Sequence, residues 1–120
     1  MVLQYSYVNY EKDFAHELRE KLNHSEDGGD VYNMFSHIIT KMLNKIFGEK
    51  IPVNNDDIRF EPEGITHFSF SRKLLDNEEF STELANSDIG NIINRFADSA
   101  HHRYVHLNKH LERTKLKIRN

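Results

Sequence analysis

From Asn91 to Asn120 the chain runs for thirty residues without a glycine or a proline. Nothing in that stretch interrupts a helix, and Ile89, Ile93, Phe96, Ala100, Tyr104, Leu107 and Leu111 recur at the three-to-four spacing of one helical face. Ser87 or Asp88 is the natural start. Continuous from Asp88 to Ile118, the helix would be about 45 Å long at 1.5 Å per residue. A domain of 120 residues has a radius of gyration of roughly 14 Å. Such a helix overshoots its own domain, so it either projects or meets a second copy of itself.

The rest of the chain supplies the elements that must pack on it. Asn9 reads as the N-cap of a first helix, with Glu11 and Asp13 at its positive end and Tyr10, Phe14, Leu18 and Leu22 on one face. A loop from His24 to Gly29 follows. Asp30 then caps a second helix, whose wide stripe (Val31, Met34, Phe35, Ile38, Ile39, Met42, Leu43, Ile46) implies burial against more than one neighbour; Gly48 ends it. Glu61-Pro62-Glu63-Gly64 fits a type I turn between two apolar runs. A three-residue loop with a bulge at Gly64 pairs Glu61 with Ile65. That register sets Ile58, Phe60, Thr66, Phe68 and Phe70 on one face and Arg59, Glu61, His67 and Ser69 on the other. Asp76 and Glu79 form a capping box for a short third helix, with Leu75 and Phe80 as its staple. The expected fold is therefore α+β, mostly helical, in the order helix–helix–β-hairpin–helix–long helix. Residues 1–120 form a single domain, with 112–120 as a projecting basic end.

Composition removes several function classes. With no cysteine there is no disulfide scaffold, thiolate metal site or cysteine nucleophile, and the expected location is cytoplasmic. No apolar run approaches the roughly 18 residues of a membrane span, and the N-terminus lacks the pattern of a signal peptide, so no membrane partner is expected. P-loop, dinucleotide, nucleophile-elbow and His-Glu-x-x-His patterns are all missing, and no cofactor is expected. Gly28-Gly29 is flanked by Glu26, Asp27 and Asp30, which would repel a phosphate.

Charge is unevenly placed. The first hundred residues carry 10 basic and 18 acidic side chains, the last twenty carry six and one. Arg103, Lys109, Arg113, Lys115, Lys117 and Arg119 thus make a basic end on an acidic body, suited to phosphates or to an acidic protein surface, with Tyr104 placed to stack on a base. Four of the eight histidines lie between His101 and His110. Asp98, His102 and His106 share one flank at four-residue spacing, and two imidazoles so spaced can chelate a metal if another segment completes the site. Arg95 and His101 share the Arg-x4–6-His spacing of the helical HEPN ribonucleases. That likeness covers seven residues, Arg103 to His110 repeats it, and a hairpin departs from an all-helical domain. The chain is not assigned to that family.

The leading expectation is a small non-enzymatic regulatory or adaptor protein. It binds another macromolecule, most readily a protein, and forms a homodimer through Tyr104, Leu107 and Leu111. The alternatives are a nucleic-acid-binding protein using the basic end, and a small RNase or metal-dependent enzyme using Arg95 and the His101–His110 segment.

Overall fold

A computed structural model describes residues 6–119, with side chains described for residues 6–108. The helices are α1 (Val8–Asn23), α2 (Gly28–Phe47), α3 (Arg72–Leu75), α4 (Glu78–Asn86) and α5 (Ile89–Arg119), and the strands β1 (Ile58–Phe60) and β2 (Phe68–Phe70) stand between α2 and α3. Two 3-10 turns, Gly48–Lys50 and Asn55–Asp57, link α2 to β1. The mostly helical α+β architecture is as the sequence predicts, with one short helix more.

The helix starts differ from expectation for local reasons. α1 begins ahead of Asn9, because the Tyr7 carbonyl already accepts from the amides of Tyr10 and Glu11 at 3.0 and 3.1 Å. The Tyr7 amide donates to Asp88 Oδ1 at 2.8 Å, so a carboxylate from the far end of the sequence sits at the positive end of α1. For α2 the cap is Asp27, whose Oδ1 accepts from the Asp30 amide at 2.9 Å; Asp30 reaches back to the Glu26 amide, also at 2.9 Å. The two glycines therefore lie inside the first turn. Gly28 is required there, since a Cβ would come within 2.8 Å of the Tyr104 ring. The expected third helix is split. Ser71 caps α3 and Asn77 caps α4, each side chain accepting from the amide three residues on, and Asp76 ends α3 instead of opening a helix. Leu75 stays largely exposed while Phe80 is fully buried.

The hairpin keeps its faces but not its register. Ile58 pairs with Phe70, Arg59 with Ser69 and Phe60 with Phe68. Glu61 then sits opposite His67, its backbone amide donating to the His67 carbonyl at 2.7 Å, two residues beyond the expected partner Ile65. The Glu61–Gly64 turn closes, with the Gly64 amide on the Glu61 carbonyl at 2.9 Å. The chain does not re-enter the ladder at Gly64. It turns back at His67, which takes the left-handed conformation (φ 64°). A two-residue shift preserves side-chain parity, so Ile58, Phe60, Phe68 and Phe70 still share the inner face. Only Thr66 leaves that face, and Ile65 becomes fully exposed at the loop tip.

One apolar cluster joins these elements: Phe14, Leu18 and Leu22 of α1, the α2 stripe, Ile58 and Phe60, Leu74, Phe80, and α5 from Ile89 to Leu107. Cross-links fix the helix directions. Lys41 of α2 reaches Glu17 of α1 at 3.0 Å, and Lys45 lies over the Phe14 ring, so α2 runs antiparallel to α1. Asp88 meets Tyr7, Arg95 meets Glu11 and Arg103 meets Asn23, so α5 runs parallel to α1. The described chain measures 57 × 28 × 27 Å.

Candidate functional site

Residues 95–107 of α5 hold the arginine–histidine spacing, the histidine flank and the expected seam residues Tyr104 and Leu107, and the structure gives each side chain a definite place. Arg95 forms a two-pronged ion pair with Glu11 (2.5 and 2.9 Å), pinning α5 to the first turn of α1. His101 lies six residues on, about 120° around the helix from Arg95, and faces the hairpin loop. The two halves of the ribonuclease-like spacing therefore face different neighbours. His102 donates from Nδ1 to the Asp98 carbonyl at 2.8 Å, and His106 is exposed. Among the described residues no group of three or more His, Asp or Glu side chains is placed to hold a metal ion, so Asp98, His102 and His106 gain no third partner there.

Arg103 turns inward. Its guanidinium donates to the carbonyls of Ser25 (2.9 Å) and Asn23 (3.3 Å), groups left unpaired by the end of α1 and at the negative pole of that helix. It acts as a C-terminal cap supplied from 80 residues away. Tyr104 packs edge-on to Phe60 (5.8 Å between centroids) and lies against Gly28. Leu107, at 8% exposure, closes the core. Two of the three residues expected at a twofold seam thus have their partners within their own chain. The side chains of Leu111, Lys109, Arg113, Lys115, Lys117 and Arg119 lie outside the described residues.

No spacing pattern announces the contact between His67 and His101. Their rings stack at 3.9 Å, 8° from parallel, joining the hairpin loop to α5. His67 Nδ1 is buried and finds no hydrogen-bond partner among the described residues. Burial lowers the His101 pKa first, with the neighbouring His67 and His102 adding to it; Asp98 and Glu63 oppose. A histidine that binds its proton less readily folded than unfolded stabilises the fold at neutral pH, and that stabilisation is lost as pH falls below about 6.5. Urea denaturation midpoints are expected to drop between pH 7.5 and 5.5, and His101→Gln to flatten that drop. Parallel pH profiles for the two proteins would remove His101 from the account.

Surface clefts are also present among the described residues, including one beside Arg95, Phe96 and Ser99. One of about 720 Å³ lies between α2 and β1, lined by Tyr32, Asn33, His37, Asp56 and Arg59. Another of about 560 Å³ lies where the start of α1, the end of α2 and α4 meet, lined by Tyr7, Ile46, Phe47, Glu78, Glu79 and Glu83 among others. Neither a protein-family model, nor a curated protein, nor a solved structure matches the chain.

Proposed function

We propose that the protein is a non-enzymatic binding domain, regulatory or adaptor in kind, whose working surface is the end of α5 beyond Leu107. One observation carries this reading: the helical backbone of α5 continues to Arg119, twelve residues past Leu107, the last core residue among those whose side chains are described. Those twelve further residues extend about 18 Å at 1.5 Å per residue. Residues 109–120 hold five basic and one acidic side chain, a net +4, against 11 basic and 18 acidic, a net −7, in residues 1–108. A cationic helix end on an otherwise acidic chain is suited to an anionic macromolecular surface. The pairing of Arg95 with Glu11 and its separation from His101 weigh against a catalytic site on this helix.

An acidic protein surface and a nucleic-acid backbone are separable by titration. Labelled polyglutamate and a labelled DNA duplex are each titrated with the full chain and with a chain lacking residues 113–120, at low and at physiological salt. Binding is expected to weaken on truncation, with the salt dependence for DNA flattening by up to about four charge units. Tighter binding to DNA than to polyglutamate would favour the nucleic-acid reading. Unchanged affinity of the truncated chain for both would overturn the reading.

A further inference from the structure

The groove of Glu78, Glu79 and Glu83 and the basic end of the sequence lie at opposite ends of α5. Tyr7 opens α1, Ile46 and Phe47 close α2, and α4 precedes α5, so the groove gathers beside the first turn of α5. Its floor is the half-buried pair Ile46 and Phe47, with Phe47 edge-on to the buried Phe80 (6.0 Å). Its rim carries exposed Glu78 and Glu79, half-buried Glu83 accepting from the Tyr7 hydroxyl at 2.7 Å, and one opposing charge, exposed Lys50. The rim is net negative over an apolar floor. From Ile89 to Leu107 the helix spans about 27 Å before the basic end begins. No chain can fold that end back onto its own groove without breaking α5.

We infer that the occupant of this groove is the α5 end of a second copy of the chain. The inference rests on the binding role proposed above for that helix end. Three observations converge on it. The helix end is net +4 and the groove rim net negative, so the two are complementary. Leu111, Leu116 and Ile118 accompany the five cations in that end, giving it apolar residues to set against Ile46 and Phe47. The two surfaces also stand at opposite ends of the long axis of α5. A twofold axis perpendicular to that long axis lays two copies side by side and antiparallel, and brings each helix end to the other's groove. Such an interface is isologous and closes at two subunits. Tyr104 and Leu107 take no part in it, because they are already packed within their own chain.

Light scattering tests it with the full chain. The expected mass at low salt is twice the 14.2 kDa of the chain, halving at high salt. Glu78→Lys with Glu79→Lys should give monomers, as should Lys115→Glu with Lys117→Glu. Mixing those two variants should restore the dimer, because each reversed helix end then meets a reversed groove. Thermal melts of both variants report whether they are folded, and recovery on mixing excludes misfolding as the cause. A monomeric parent protein, a dimer indifferent to salt and to both reversals, or no recovery on mixing would overturn the inference. Mass growing steadily with concentration would indicate head-to-tail chains and overturn the twofold arrangement. A monomer that still loses polyglutamate or DNA binding on truncation would refute the dimer while leaving the binding role of α5 in place.

Discussion

Phe60→Ala is expected to destabilise the domain by about 3–5 kcal/mol, the usual cost of removing a buried aromatic ring. Phe60 has no exposure at all, and its ring meets Phe35 and Tyr32 of α2 and Tyr104 of α5 at centroid distances between 5.6 and 5.8 Å. It is the point at which the hairpin, α2 and α5 converge. A two-stranded hairpin is marginal in water, so removal of its anchor should release it from the helices. Against a typical total stability of about 5–15 kcal/mol, the loss would leave much of the protein unfolded at moderate denaturant. Urea unfolding followed by circular dichroism measures it, with Phe68→Ala, on a half-buried side chain, as the milder comparison. A loss below about 1 kcal/mol would mean that the helices hold without the hairpin.

Asp57→Ala should cost about 2–4 kcal/mol, from two hydrogen bonds to a charged acceptor and the donors left unmatched. Asp57 is only 6% exposed. Its carboxylate accepts from the Asn54 amide at 2.9 Å and the Ser71 hydroxyl at 2.6 Å, and its own carbonyl accepts from the Ser71 amide at 2.8 Å. One side chain thereby closes the turn entering β1 and ties it to the cap of α3. Asp57→Asn keeps one acceptor oxygen and should recover part of the loss. Equal destabilisation by Asn and Ala would indicate that the charge, not the acceptor geometry, is what matters.

Much of the fold could be read from periodicity alone. The stripe of α2, the face of α1 and the unbroken α5 are local patterns, and the structure reproduces them. The hairpin marks the limit of that reasoning. Parity identifies the buried face, but two registers separated by two residues present the same face, and the choice fell to His67 in a conformation that no residue pattern announces. The split between α3 and α4 was hidden because Ser71, Asn77 and Asp76 can all cap a helix, and position relative to the core decides among them. The candidate site was less legible. Arg103 looks like one cation in a basic cluster until the carbonyls of Asn23 and Ser25 are brought beside it by the parallel packing of α1 and α5. The stack of His101 on His67 depends on two segments 34 residues apart, and Gly28 shows its purpose only when Tyr104 is in place. Each of these is a long-range contact, outside the reach of spacing arguments.

The pairing of α1 with α5 also dictates an order of events when the protein is made. Tyr7 with Asp88, Glu11 with Arg95, and Asn23 with Arg103 each close loops of 80 residues or more. Closing such loops costs chain entropy before any of the contacts repay it, which slows folding. During synthesis α1 and α2 can meet as a helical hairpin soon after they emerge. But α5 begins only at Ile89 and its last described core residue is Leu107, so the face of α2 that it will cover stays wet while the chain from Phe47 to Leu107 is added. A nascent chain stalled before Ile89 would thus remain open to proteases. Protection should then arrive almost at once, when the first five turns of α5 clear the ribosome and zip into the waiting groove between the two earlier helices.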